Sequence, residues 1–449
     1  MKSRILACVA LMMLTNGAAA EEPASPDPVA EIVAAGLDDE FSWAWLSTLC
    51  DVYGPRLSGS PAYDRAAVWA VESLESAGFD RVWTEPVMVP HWVRGAERAR
   101  LTSPVDEPLI ITGLGGSVGT PQEGLEAEVV LARDFAELEA LGDGVRGKIV
   151  LFNPQWKGYG SVADYRVNGP AAASRAGAVG ALVRSATGFS LATPHTGVTN
   201  FEDGDTRIPA AAVTTESADR IERLLERGET VRVRWYSEAS NHPFVEQPTV
   251  IAEVRGTELP DEIVVAGCHF DTWDVGTGAH DDSAGCAIVV GAARLLLDER
   301  WRPRRTVRVV LFASEEQGVH AGRAYLEAHR NELDRHVAAL ESDSGCFAPA
   351  GFSVKGSDRA FGAVVRLAAP LAGLGASTVR AGWAGVDIGP LVEAGVPGIG
   401  HRVHNDGYFD VHHSPADTLD KVDPEHLAAN VSAVAGLLWG LANESSSLR

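Results

Sequence analysis

Residues 263–297 read IVVAGCHFDTWDVGTGAHDDSAGCAIVVGAARLLL. Ile263 to Cys268 is a short unbroken apolar run with the β-branched content of a buried strand, and Gly285 to Leu297 has the length and composition of a helix. The alternation continues downstream, where Thr306 to Phe312 predicts a strand, Val319 to His329 a helix and His336 to Leu340 another strand. Strand, helix, strand, helix predicts an α/β domain whose sheet is largely parallel and flanked by helices.

Upstream the texture differs. Phe41 to Cys50 predicts a short helix, and Ser60 followed by Pro61 supplies an N-cap and a first-turn proline for an amphipathic helix ending near Gly78. From Leu125 to about Ser240 come strand-like runs, Lys148 to Phe152, Ala181 to Arg184 and Thr230 to Trp235, with Gly/Pro-rich loops and an Ala-rich helix at Pro170 to Ala176. This predicts a β-rich inserted domain at 121–242, dividing an N-terminal part of the catalytic domain (21–120) from the remainder (243–445).

The chain has 449 residues, enough for two or three domains, and its 45% hydrophobic and 22% charged residues are globular values. The 61 acidic against 38 basic residues give a net charge of -23, which repels nucleic-acid phosphates and anionic lipid. Lys2 and Arg4 precede the apolar run Ile5 to Leu14, and Ala18 to Ala20 offer a small-residue cleavage site before Glu21. Residues 1–20 are therefore expected to be a signal peptide, and the mature protein periplasmic or secreted. That run is too short to span a bilayer and no later stretch is long enough, so no membrane span is expected. Beyond Cys8, the cysteines Cys50, Cys268, Cys286 and Cys346 lack the close pairs of a zinc ribbon; a disulfide and buried thiols both remain open.

Acidic residues and histidines gather where the strands end. His269 and Asp271 follow the first, Glu315 and Glu316 the second, Asp343 the third. Ligands of open α/β sheets bind outside the carboxyl ends of the strands, so these side chains should converge. Asp281, Asp282 and the late pair His412 and His413 join them. So many carboxylates repel one another unless a cation neutralises them, and imidazoles mixed with carboxylates suit Zn²⁺ better than Ca²⁺. A two-metal centre needs a bridging carboxylate, a His and a carboxylate for each ion, and a base beside the bridging water. Each part is present.

His269-Phe-Asp271, Asp281-Asp282-Ser-Ala-Gly285, Glu315-Glu316-Gln-Gly318, Glu341-Ser-Asp343 and His413-Ser-Pro-Ala-Asp417 resemble the five ordered motifs of the co-catalytic di-zinc exopeptidases. The likeness extends to Gly54-Pro-Arg-Leu-Ser-Gly-Ser60, Glu85-Pro-Val-Met-Val-Pro-His-Trp92, Gly115-Gly-Ser-Val-Gly-Thr-Pro121 and Trp273-Asp-Val-Gly276, so it covers nearly the whole mature chain. The resemblance implies two Zn²⁺ per chain bridged by Asp281, with His269 and Asp343 on one ion and Glu316 and His413 on the other. It implies Glu315 as general base and Asp271 as the group orienting His269. It also implies a protease-associated domain, a homodimer, and hydrolysis of dipeptides or short peptides with free termini, from either end. Asp387 matches an acidic position near the site whose role stays open.

Blander readings attach to the neighbours. Asp282 is expected to cap the following helix, His412 to be an adjacent residue only, His280, His401 and His404 to be ordinary polar residues, and Trp273 to shape the pocket. Gly115 to Gly119 fits the GxSxG nucleophile pattern, but Pro121 and Gly124 follow too soon for the required strand-to-helix turn. A receptor-like binding protein of the same architecture would have lost ligands, and all are filled here. The desuccinylase type of metallohydrolase would carry a dimerisation insert after the Glu-Glu pair, which this sequence lacks.

Overall fold

A computed structural model describes residues 27–405, 407–446, 448 and 449; the expected signal peptide and its cleavage point lie outside these described residues. Two eight-stranded sheets organise the chain. The centre of the first runs Arg305–Phe312, Leu259–His269, His336–Glu341, Gly398–Val403, all parallel, as the strand and helix alternation requires. Antiparallel neighbours close both sides. Ser240–Val254 pairs with Arg305–Phe312 and with Arg81–Val93, while Pro349–Lys355 pairs with Gly398–Val403 and carries the short strand Val379–Ala381.

The central strands are apolar on both faces because both faces are covered. Val264, Val265, Ala266, Val309 and Val310 are fully buried in one core with the helices Ala284–Leu295 and Pro424–Asn443, onto which Pro28–Leu37 and Phe41–Thr48 pack. The helix expected after Ser60 is Pro61–Ser76, whose first turn is capped by the Ser60 hydroxyl accepting from the Tyr63 N–H at 3.3 Å.

The chain leaves this sheet at Val93 and returns at Ser240, which are register partners. Between them lies the second sheet, in the order Glu107–Leu109, Glu97–Ser103, Arg232–Ser237, Leu125–Ala132, Ile149–Phe152, Gly180–Arg184, Ala210–Val213, Ile111–Gly113. Two expectations change. This sheet begins near Glu97 rather than 121, since Ala99 pairs with Trp235 and Thr112 with Ala212. It is also mixed α/β rather than simply β-rich: its four middle strands are parallel, helices Phe135–Leu141 and Gly160–Arg175 join successive strands, and an apolar cluster lies on each face.

The helix expected to start at Pro170 is the last part of Gly160–Arg175, with the proline inside it. A proline normally opens a helix or breaks it. Here Arg166, Gly169, Pro170, Ala171 and Ala173 are buried and the Phe152 ring lies against Gly169, so packing overrides the local break.

One buried arginine ties the segment before the first long helix to the site loop. Arg56 is fully buried. Its Nε donates to the Phe270 carbonyl at 2.5 Å, Nη1 to those of Gly54 and Thr277 at 3.2 and 3.4 Å, and Nη2 to the Ser283 hydroxyl at 2.8 Å. Arg56→Leu removes the donors and leaves buried acceptors unpaired, so it is expected to destabilise the protein by about 3 kcal/mol. Urea unfolding of both proteins checks this; an unchanged midpoint would show that the loop stands without the arginine.

Candidate active site

His269 is the last residue of its strand, Glu315 and Glu316 follow Phe312, and Asp343 follows Glu341. Three adjacent parallel strands thus deliver their ends to one crevice. Asp281 comes from the turn ahead of Ala284–Leu295, with φ -124° and ψ 83° outside the helical region. The Asp417 carboxylate fixes that turn by accepting the His280 N–H at 2.8 Å and the Asp281 N–H at 3.1 Å. His413 follows the short helix Tyr408–Val411 and has a positive φ of 59°.

The five expected ligand residues meet around Asp281. Its Oδ1 lies 3.1 Å from His269 Nε2, which lies 3.5 Å from Asp343 Oδ1. Its Oδ2 lies 3.2 Å from His413 Nε2, itself 2.9 Å from Glu316 Oε2. One carboxylate therefore faces an imidazole–carboxylate pair on either side. Asp281 Oδ2 and Glu316 Oε1 are buried with no hydrogen-bond partner, a costly state for anionic oxygens unless a cation takes them. The donor set is oxygen and imidazole nitrogen, as zinc accepts, so these residues fit a pair of metal ions.

Each imidazole is braced through its other nitrogen, the usual support of a metal-binding histidine. His413 Nδ1 lies 3.2 Å from the Thr196 carbonyl of the second sheet's unit. His269 Nδ1 lies 3.0 Å from the main-chain carbonyl of Asp271. Its carboxylate stands farther off: Oδ1 is 3.9 Å from that nitrogen and accepts the Glu315 N–H at 3.1 Å. Asp271 sets the ring through its backbone and the Glu315 position through its side chain.

Charge is unevenly distributed here. Burial pushes Asp281 up, but His412, His269 and His413 outweigh it and hold the carboxyl well below the usual carboxylate range. Burial pushes Glu316 up to about 7, partly offset by His413. It drives Glu315 well above the ordinary glutamate value, opposed by His269 and reinforced by Asp343 and Glu316. Glu341 is raised to about 8 by burial and by Asp343, and its oxygens accept the Val386 and Ile388 N–H groups at 2.7 and 2.8 Å. Asp387, in the segment so held, is buried with neither oxygen hydrogen-bonded, and burial followed by Glu341 and Glu315 raises it strongly.

The crevice opens as a cleft of about 580 Å³. Its walls include Glu315, Asp343, Trp383 and His412 from the first unit and Tyr159, Arg166 and Val198 from the second. Sequence reasoning missed the second set, because a lone Tyr or Arg within a helix carries no periodic signal. Arg166 packs against Gly197, where a Cβ would stand 2.3 Å from Arg166 Cζ. Trp273 does border the site, with its ring 5.7 Å from His413 and flat enough against Gly115 that a Cβ there would come within 2.2 Å.

Other expectations resolve as follows. Asp282 does not cap the following helix: the N-cap position of Ala284–Leu295 is Ser283, and Asp282 Oδ2 accepts the His269 N–H at 3.2 Å, anchoring the strand end. His280 accepts the Cys346 N–H at 3.0 Å and His401 sits between Ser342 and Asn430, both structural roles. Ser117 of the GxSxG match is buried, and its carbonyl serves the Trp92 indole at 3.0 Å. Cys268 and Cys286 are disulfide-bonded with Cα atoms 5.2 Å apart, tying the strand before His269 to the helix after Asp282; Cys50 and Cys346 are free and buried.

A profile of Peptidase family M28 matches residues 249–438. Carboxypeptidase Q of Mus musculus is 36% identical over 425 residues, covering 94% of this chain and 89% of that protein. The chain belongs to peptidase family M28. Carboxypeptidase Q of Xenopus laevis is 37% identical to this M28 peptidase over 88% of the chain and 84% of its own length. The crystal structure of a peptidase M28 precursor from Shewanella amazonensis superposes with a TM-score of 0.89 at 38% identity, covering 94% of this chain and 97% of that one. A zinc aminopeptidase from Bacillus subtilis shares the fold, with a TM-score of 0.69 at 18% identity over 91% and 96% of the two chains.

Proposed function

We propose that this M28 peptidase is a two-zinc exopeptidase that cleaves dipeptides and short peptides with a free carboxyl terminus. The observation that carries the reading is Asp281, whose two oxygens each face one imidazole and one further carboxylate. His269 and Asp343 would hold one ion, Glu316 and His413 the other, and Asp281 would contribute to both; zinc bound there would supply Lewis-acid polarisation and an acidified water.

The chain's own groups do the rest. Glu315 borders the cleft beside Asp281 and Asp343, where it accepts the proton of the attacking water and returns it to the leaving amine. The carbonyls of Asp271 and Thr196 keep the two imidazoles in one tautomer.

Arg166 supports recognition of a carboxylate. It is 6% exposed, its Nη1 donates to the Thr196 carbonyl at 3.2 Å and lies 3.3 Å from His413 Nδ1, and its Nε has no hydrogen-bond partner. No acidic group among the described residues forms an ion pair with it, although it lines the cleft. A buried cation without an anion is costly, and a substrate carboxylate supplies the missing charge. The curated relatives named carboxypeptidase Q agree with that polarity.

Among the described residues no helix is long and apolar enough to cross a membrane. The charged start, apolar run and Ala-rich end of residues 1–20 support export of the enzyme, to the periplasm or the medium.

Three measurements test this reading. Chelation is expected to abolish turnover and Zn²⁺ to restore it; Glu315→Gln is expected to keep two zinc ions while turnover falls about 10² to 10⁴-fold, whereas Glu316→Gln loses one ion. Elemental analysis beside kinetics reads both, and a Glu315→Gln protein with near-normal turnover would falsify the base assignment. Dipeptides with a free carboxyl terminus should be cleaved and their amides should not, and Arg166→Leu should lower kcat/KM for the free form by about 10²-fold with zinc retained. Equal cleavage of the amide, with dependence on a free amine, would make the enzyme an aminopeptidase instead. N-terminal sequencing of the exported protein should begin at Glu21; a mature chain retaining Met1 would count against export by this segment.

A further inference from the structure

The second sheet has a crevice of its own. Its strands Leu125–Ala132, Ile149–Phe152 and Gly180–Arg184 are adjacent and parallel, and Arg133, Asn153 and Arg184 stand at their carboxyl ends. With Trp156, and with Asp219 and Glu222 from the helix Thr215–Glu226, they line a cavity of about 390 Å³. The carboxyl edge of a parallel sheet is where such folds bind ligands, and the peptidase scheme makes no use of this one.

The polar groups of the cavity satisfy one another only in part. Arg184 Nη1 donates to Asp219 Oδ1 at 2.7 Å and to Asn153 Oδ1 at 3.4 Å, while Asn153 Nδ2 donates to the Asp219 and Glu222 carboxylates. Arg133 is engaged by Glu222 and Glu226, each at 2.7 Å. Arg184 differs: its side chain is only 13% exposed, yet its Nε is buried without a hydrogen-bond partner. That edge of a guanidinium is the one that grips a carboxylate with two parallel bonds. Asp219 is 47% exposed and, among the described residues, accepts its bonds on Oδ1, which leaves Oδ2 for a cation.

Charge selects the ligand class. The wall carries two guanidinium groups and two carboxylates, so a lone anion meets Asp219 and Glu222 and a lone cation meets Arg184. A zwitterion escapes both penalties. We propose that this cavity binds a free α-amino acid, with its carboxylate on the Nε edge of Arg184, its ammonium on Asp219 Oδ2 and an apolar side chain against the Trp156 indole. The indole is fixed by packing, since a Cβ at Gly188 would come within 2.5 Å of its Nε1. Three residues after Trp156, Tyr159 lines the catalytic cleft and stacks on Phe409 at 4.6 Å, so the cavity and the cleft share one loop. Amino acids are what the proposed hydrolysis releases, but neither pole of this site belongs to the zinc centre.

Equilibrium dialysis of radiolabelled L-leucine against the zinc-loaded, full-length protein reads the site. Saturable binding with a Kd below about 1 mM is expected. Arg184→Leu, with Asp219→Asn as a second variant should the first not fold, should remove one leucine site per chain or weaken it at least about tenfold, with kcat and zinc content unchanged. Arg166→Leu, which alters the catalytic cleft, should keep that site. In the Arg166→Leu protein, leucinol, which lacks the carboxylate, and 4-methylpentanoate, which lacks the ammonium, should each compete at least about tenfold more weakly than leucine. Absence of saturable binding overturns the proposal, as does leucine binding that Arg166→Leu abolishes and the Arg184 and Asp219 variants leave intact. Equal competition by either analogue, or by inorganic phosphate, also overturns it. A protein that binds leucine as expected but cleaves no peptide keeps this site and counts against the peptidase reading alone.

Discussion

A buried carboxylate with both oxygens facing imidazole–carboxylate pairs is the constraint around which the molecule is arranged. Asp281 occupies that point. Placing four acidic side chains together away from bulk water is unfavourable unless cations and donors surround them. The fold answers with rigid supports. Asp417 grips the backbone at His280 and Asp281, Asp282 grips the His269 N–H, and Arg56 ties the carbonyls of the intervening loop. The covalent link between Cys268 and Cys286 encloses the same segment. These supports act mostly on main-chain atoms, which fixes where the functional side chains start without competing for their polar ends.

The second sheet is part of the site. Thr196 donates its N–H to the His413 carbonyl at 2.9 Å and offers its own carbonyl to the His413 ring, while His195 holds the preceding residue. His413 has a left-handed backbone, unfavourable for a residue with a side chain, and these contacts with a second unit sustain it. Arg94, just after the chain leaves the first sheet, pairs with Asp274 and binds the Gly113 carbonyl, locking the crossover beside the cleft. This unit supplies Tyr159, Arg166 and Val198 to the cleft wall and braces a proposed metal ligand.

The sequence by itself determined the α/β class, the order of the central strands' elements and the residues that cluster. Those properties are local: an apolar β-branched run of strand length is buried wherever it goes, and polar residues at its carboxyl end face the crevice of any open parallel sheet. His269, Glu315, Glu316 and Asp343 were legible for that reason. Only the tertiary structure decided what depends on which surfaces meet. That includes the brace on His269 through the Asp271 carbonyl, the true role of Asp282, the pairing of Cys268 with Cys286, and the entry of Arg166, Tyr159 and Thr196 into the site from a separate sheet. Contacts between residues hundreds of positions apart leave no periodicity in the chain, because they are set by how two finished sheets dock and not by how either one is wound.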